Sequence, residues 1–393
     1  MTGLADRQLE ITLRNQVLFG VGAIARLPEV VAAAGGWRAF IVTDPGVDVA
    51  GVLAQVTGAL GSIPATVFSQ VEPDPSGATA ELGATSLRSL GLDGTVVVAV
   101  GGGSPMDAAK AMALGAANDR PLWELEYDGP TLTPACPIIA VPTTAGTGSE
   151  AHPFAVITRE EVGRKDYIGH PSLLPATTIL DPALTVGLPA GVTAATGIDA
   201  MTHSLESLLS RNGNPFAESM ALGVIRIVYD WLPRAIADGS DLEARSQMLM
   251  AAHLAGVGQA SGTGVGLVHA LGHALGTRGR LAHGTALAVV LPEVLAFYLE
   301  EPGLRDRELA LVGVAIGAAS ATEQPATAAG AAIGELRRFL ASIGQRPTLR
   351  SLGFDDALLD VVAHDAIDDV AIRNSPRLPA LDEARAILAS VTD

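Results

Sequence analysis

The sequence predicts an α/β N-terminal domain built on a parallel sheet, over residues 1–182, followed by an all-α C-terminal domain over residues 183–393. Three observations carry this. Short continuous apolar runs punctuate the first half, helical stretches separate those runs, and beyond Pro182 long alanine- and leucine-rich segments take over. Continuous apolar strands with helices between them describe a sheet covered on both faces. Apolar residues at helical spacing, with few β-branched runs, describe packed helices.

The strand-like runs are 38–43, 65–68, 95–100, 137–141 and 178–180. The helical patterns of the second half cover 190–210, 215–238, 241–259, 265–276, 285–299, 305–320, 326–343 and 381–391. No internal repeat and no long linker interrupts the series. With 48% hydrophobic and 17% charged residues, a chain of 393 residues can bury a sizeable core.

Several function classes are disfavoured by composition. No apolar run of about 18 residues appears, so no membrane-spanning helix is expected. Residues 1–7 carry no basic segment leading into an apolar run, and no secretion signal is expected there. Cys136 is the single cysteine, which excludes an internal disulfide and a cysteine-built zinc site; a reducing cytoplasm fits. The formal charge of −17 opposes a nucleic acid or an anionic membrane as partner. A small anionic ligand remains allowed, since backbone amides and a metal can hold one locally.

Gly101-Gly102-Gly103-Ser104 follows the apolar run ending at Val100 and leads into a helix start carrying Pro105. Glycines let the backbone approach a ligand, and the exposed amides and dipole of the next helix favour a phosphate. Ser104 either donates to that phosphate or caps the helix. The order differs from the G-x-G-x-x-G fingerprint, and Gly20-Val21-Gly22 reads as a turn. Asp44 follows an earlier strand, where it either accepts hydrogen bonds from ribose hydroxyls, which would disfavour a 2′-phosphate, or serves as a turn residue before Pro45-Gly46. Pro142-Thr143-Thr144-Ala145-Gly146-Thr147-Gly148-Ser149-Glu150 gathers hydroxyls and glycines after another buried strand, a composition suited to a pyrophosphate and a nicotinamide ribose.

In the helical half, Asp199 and His203 stand at i and i+4, on one helix face. His269 and His273 form a second such pair, and His283 follows. One carboxylate with three imidazoles suits Fe²⁺ or Zn²⁺ and not Ca²⁺ or Mg²⁺, which prefer oxygen shells. A structural polar network is the alternative.

Taken together, these residues resemble the iron-containing alcohol dehydrogenase family. The resemblance runs from Phe19-Gly20-x-Gly22 through Thr43-Asp44, residues 101–110 and 142–150, to residues 196–203 and 268–284. It implies Asp199, His203, His269 and His283 as ligands of a divalent metal, Fe²⁺ first and Zn²⁺ second. It implies NAD, with contacts at Asp44, Gly101, Gly102, Gly103, Ser104, Thr143, Thr144, Thr147 and Lys165. His273 resembles the further histidine near the nicotinamide, a member of a proton relay. The activity implied is interconversion of a small primary alcohol and its aldehyde by hydride transfer in an interdomain cleft. A homodimer or higher homo-oligomer is expected. The rivals are a lyase like dehydroquinate synthase, using NAD transiently, and a metal-dependent hydrolase of a phosphorylated substrate.

Departures from the family pattern cluster in the pocket. His152 replaces a frequent threonine, Asp74 stands where some relatives have asparagine, and residues 258–264 are one residue longer than usual. Arg278 and Arg280, between two metal-site histidines, lead us to expect a substrate carrying a negative charge or a strongly polar group.

Overall fold

The computed structural model describes residues 15–125, 132–161 and 164–393; residues 1–7, where no secretion signal is expected, lie outside them. The strands are β1 (Gln16–Phe19), β2 (Arg38–Val42), β3 (Ala65–Phe68), β4 (Thr95–Gly101), β5 (Ile138–Pro142), β6 (Phe154–Arg159), β7 (Arg164–Gly169) and β8 (Thr177–Leu180). Among them lie α1 (Leu27–Ala33), α2 (Pro45–Val49), α3 (Val52–Leu60), α4 (Gly77–Leu90) and α5 (Gly103–Ala117). Six strands form one parallel sheet in the order β1-β8-β5-β4-β2-β3, while β6 and β7 form an antiparallel hairpin.

Alternation along β4 explains why residues 96–100 are all apolar. Val96, Val98 and Val100 pack with α1 and α3 on one face; Val97 and Ala99 pack with α4 and α5 on the other. A strand sandwiched in this way needs hydrophobic side chains at every position. The chain moves outward from β2 to β3 and then returns to build β4, β5 and β8 on β2's other side. The order therefore reverses between β2 and β4, and ligands of open α/β sheets bind beyond the carboxyl ends of strands at such a point.

The second half holds α6 (Ala190–Leu209), α7 (Pro215–Ala237), α8 (Leu242–Gly258), α9 (Leu267–Gly279), α10 (His283–Leu299), α11 (Asp306–Ala315), α12 (Pro325–Ser342), α13 (Asp356–Asp368) and α14 (Leu381–Ala389). They share one hydrophobic core, reaching from Ile198 to Val391. Polar side chains set the starts: Asn214, Asp241 and Asp355 accept from backbone amides three residues on, at 2.9, 3.0 and 2.8 Å. Among the described residues no helix is long and apolar enough to cross a membrane.

The structure adds elements that the sequence reading leaves unassigned. β1 is a four-residue edge strand paired only with β8, too short to stand out by pattern. The β6–β7 hairpin buries alternate residues. α13 buries Leu359, Val362, Ala363 and Ala366, at helical spacing that interleaved aspartates dilute. α11 stops at Ala315, short of the expected 320. Gly317 turns left-handed at φ 72° and the Ala318 amide closes onto the Gly313 carbonyl at 2.8 Å. Beyond Gly258 the chain continues α8 as a π turn over Gln259–Thr263, with Gly262 at φ 94°.

Candidate active site

α6 and α9 carry the central donors. Asp199 and His203 occupy successive turns of α6, His269 and His273 successive turns of α9, and His283 opens α10. The Nε2 atoms of His203 and His269 lie 3.5 Å from Asp199 Oδ1, and that of His283 lies 3.6 Å from it. These separations are long for hydrogen bonds. They match the spacing of about 3.4 Å between donors placed tetrahedrally at about 2.1 Å from one cation. Asp199 Oδ1 and His269 Nε2 are buried with no hydrogen-bond partner, a costly state unless something bridges them. The donors of Asp199, His203 and His269 lie within 4.8 Å of one another. His283 closes on Asp199 from a more open side, its side chain 28% exposed.

Glu206 holds this arrangement. One turn beyond His203 on α6, it accepts from the amides of Gly266 (2.9 Å) and Val268 (2.7 Å), so a carboxylate sits at the positive end of α9. It also takes His269 Nδ1–H at 2.6 Å. That bond fixes the ring's orientation and turns Nε2 towards Asp199. Asp369 does the same for His273, with Nδ1 at 2.7 Å from Oδ2.

Burial alone would raise the Asp199 carboxyl, but His203, His283 and His269 hold it well below the usual carboxylate range. Burial opposes a charge on His269, yet Glu206 and Asp199 bring it up to about 9. His283 and His273 are both lowered, chiefly by burial, despite Asp199 and Asp369 respectively.

At the sheet, the ends of β2 and β4 meet. A Cβ on Gly101, whose φ is +145°, would lie 3.3 Å from Asp44 Oδ2. Asp44 itself caps α2, accepting from Val47 N at 2.9 Å. A Cβ on Gly102 would press Thr144 at 3.1 Å, and one on Gly103 would strike Thr147 at 2.7 Å. The glycine loop thus lies directly on the loop after β5. The first amides of α5 have no side-chain cap, which leaves them for an anion. Ser104 is not the cap: its Oγ accepts from Asp74 N at 3.2 Å and keeps its proton to donate. Thr143 N donates to Gly101 O at 2.9 Å. Lys165, on β7, pairs with Asp74 at 2.7 Å.

A buried network that the sequence reading does not foresee lies beneath these loops. The Lys110 ammonium donates to Ser149 O (2.6 Å), Ser149 Oγ (2.8 Å) and Phe154 O (2.8 Å). Ser149 Oγ donates to Asp107 at 2.5 Å. Burial lowers Lys110 to about 8, against the pull of Asp107 and Glu150. His152 stacks on Phe154, with ring centroids 3.7 Å apart. Burial, then Lys110 and His203, keep it far below the usual imidazole range. Glu150 meets His253 Nδ1 at 3.1 Å, and a Cβ on Gly256 would lie 2.4 Å from Gly148 O. The loop after β5 is therefore locked to α8.

Gly103, Ser104, Thr147, Lys165, Asp199, His203, His269, His273 and His283 all line one cleft between the sheet and the helices, enclosing about 1430 Å³. That exceeds the roughly 300–1,000 Å³ of ordinary small-ligand pockets. Asp44, Gly101, Gly102, Thr143 and Thr144 are not among its lining residues. Arg278 and Arg280 correct an expectation. Arg278 is held by Asp365 at 2.6 Å, Arg280 ends α9 in the left-handed region at φ 52°, and neither lines the cleft. Helix α9 carries both past the site. The basic cleft residues are instead Arg164, Lys165 and Arg373.

Residues 14–182 match the family model described as iron-containing alcohol dehydrogenase, and residues 193–392 match its C-terminal counterpart. The probable alcohol dehydrogenase EutG of Salmonella typhimurium is 37% identical over 92% of this chain and 89% of its own. The NAD-dependent methanol dehydrogenase of Bacillus methanolicus is 31% identical over 94% and 96%. A crystal structure of a 1,3-propanediol oxidoreductase superposes with a TM-score of 0.92 at 33% identity, over 98% of this chain and all of the other.

Proposed function

The chain belongs to the iron-containing alcohol dehydrogenase family and is an oxidoreductase acting between alcohols and aldehydes; from that premise we propose that it uses NAD(H) on small primary alcohols in the cleft between residues 1–182 and 183–393. The observation that carries this reading is the meeting of two unlike sites on one cleft, an anion-ready glycine loop and a buried carboxylate–imidazole cluster.

The residues fit both groups. Asp199, His203, His269 and His283 would hold the metal, Fe²⁺ by family and Zn²⁺ by donor chemistry. Gly101, Gly102, Gly103, Ser104, Thr143, Thr144, Thr147 and Lys165 would hold the dinucleotide, with Asp44 at the ribose. A relative's printed dependence on NAD supports this choice. When bound, the cation supplies Lewis acidity to the substrate oxygen and NAD supplies the hydride acceptor.

The protein's own groups do the rest. Glu206 keeps the His269 ring in its ligating orientation. Asp369 holds His273 Nδ1–H, so its Nε2 lone pair faces the cleft and takes the proton released by the alcohol. The Gly148–Gly256 contact keeps the nucleotide loops in fixed register with α8. A cytoplasmic homodimer or higher homo-oligomer suits the single buried Cys136 and the family.

The test is anaerobic reconstitution with Fe²⁺ or Zn²⁺ against a panel of short alcohols and aldehydes, followed at the NADH absorbance. Metal-dependent turnover with NAD is expected. Metal-independent turnover, or none with any alcohol or aldehyde, would overturn the reading.

A further inference from the structure

Asp74 lies in the segment between β3 and α4, and its neighbours clamp it there. Its amide donates to Ser104 Oγ at 3.2 Å, and its carbonyl accepts from Thr158 Oγ1 at 3.0 Å. Thr158 N donates to the next carbonyl, that of Pro75, at 2.8 Å. Glu72 braces the segment from within, taking Ser76 N at 2.8 Å and Thr79 Oγ1 at 2.7 Å. The backbone at Asp74 is left-handed, with φ 54°, a region that aspartate and asparagine enter more readily than most residues.

Lys165 meets this carboxylate from the β6–β7 hairpin. Thr158 and Lys165 stand directly opposite each other across the two strands. One cross-strand pair therefore holds both the carbonyl of Asp74 and its carboxylate, the latter at 2.7 Å from the ammonium. Arg159 and Arg164, on either side of the same hairpin turn, are engaged by Asp166 at 3.3 and 2.8 Å. Among the described residues Asp74 is the only ion-pair partner of Lys165.

The pair lies between the two sites of the cleft. At one end Asp74 touches Ser104, at the anion-ready start of α5. At the other, Lys165 adds to burial in lowering His273 and His283, so its charge is felt at the metal end. Both side chains line the cleft with those histidines. A dinucleotide with its phosphates on α5 and its reactive ring at the metal cluster must run past Asp74 and Lys165. The portion passing them is the nicotinamide half, which carries a positive charge when oxidised and none when reduced.

We propose that Asp74 and Lys165 form a charge-balanced pair beside the nicotinamide that sets the relative affinity for the two redox states of the cofactor. The ammonium repels the cationic ring of NAD+ and is indifferent to the neutral ring of NADH; the carboxylate does the reverse. Together they cancel, so neither state is penalised. An asparagine at position 74 leaves the ammonium uncompensated and tilts the site towards NADH. Only this difference between the states shifts their ratio, whatever the pair contributes to holding both. The inference rests on the NAD reading above and adds the residues that set the preference between the oxidised and reduced forms.

The experiment uses the full-length, metal-loaded protein without alcohol. NADH binding is followed by its fluorescence and NAD+ binding by displacement of NADH, both on one preparation, so the ratio of the two Kd values is independent of the folded fraction. Asp74→Asn should raise Kd(NAD+)/Kd(NADH) by about three- to tenfold. Lys165→Met should lower it by a similar factor, and the double variant should return close to the wild type. A merely structural role would weaken both forms together and leave the ratio where it was. A ratio unchanged in both single variants, or displaced in the same direction by both, overturns the proposal while the NAD reading stands. Failure of the wild type to bind either nucleotide overturns that reading and the pair with it. If the ratios shift in opposite directions but no alcohol is turned over, the charge pair stands and the proposed reaction falls.

Discussion

At the scale of single residues, the metal cluster and its supports make separable predictions. His269→Ala and Asp199→Ala should lose bound metal and reduce kcat/KM by more than about a hundredfold, the upper range for an outer partner, with NADH still binding. Glu206→Gln should weaken metal affinity by about 10- to 100-fold. Elemental analysis beside an NADH fluorescence titration checks both, and full metal content in His269→Ala would refute the ligand assignment. Asp44→Gly should move the NADPH-to-NADH preference towards NADPH by about tenfold or more, which is about 1.4 kcal/mol of relieved repulsion. An unchanged preference would move Asp44 away from the ribose. Lys110, lowered from 10.5 to about 8, binds its proton less readily folded than unfolded. Between those values the unfolded chain holds more protons, so stability rises with pH through the window and is lost as pH falls through 8, with a slope of up to about 1.4 kcal/mol per pH unit. Denaturant titrations from pH 7 to 10.5 should show that slope in the wild type and not in Lys110→Met. The clustered residues are legible in the sequence because helical spacing exposes them: Asp199 with His203, and His269 with His273, are one turn apart. Glu206 continues the α6 face and was within reach of the same argument. Asp369 was not, since it joins His273 across 96 residues and an unassigned helix.

At the scale of elements, the strands buried on both faces and the long helices could be read directly, because their periodicity is a consequence of burial. The β6–β7 hairpin and β1 could not, since their pairing depends on neighbours brought by the fold. The meeting of the loop after β5 with α8 was equally hidden, because its sign in the sequence is only two glycines far apart in the chain, Gly148 and Gly256. Gly256→Ala should cost about 1–3 kcal/mol through forced repacking and raise the KM for NAD, since the loop that must yield carries Thr147 and Ser149. Gly58→Ala is the control: its Cβ would meet nothing within 4 Å inside α3, and it should gain about 0.4–1 kcal/mol. Thermal unfolding of both variants decides the matter; a neutral Gly256→Ala would show that the contact can relax.

At the scale of the whole molecule, each half supplies what the other lacks. The sheet offers amides at its carboxyl edge, and the helices offer imidazoles fixed by buried carboxylates. The argument from Arg278 and Arg280 fails at this scale: proximity in sequence placed both beside the histidines, but neither lines the cleft, and Arg278 pairs with Asp365 instead. The depth of the cluster reaches beyond catalysis. Asp199 and His269 are each 2% exposed, and only His283 offers an open flank. An ion taken up while α6 and α9 assemble must then leave through that one side, against four released donors. Exchange in the native protein should therefore be slower than unfolding-assisted exchange by orders of magnitude, as a chase of iron-loaded enzyme with isotopic zinc, with and without mild denaturant, would measure. Equal rates would mean an easily opened site. The polypeptide then keeps a record of the medium in which it folded: two batches of identical sequence, raised in iron-rich and zinc-rich cultures, are two lasting catalysts.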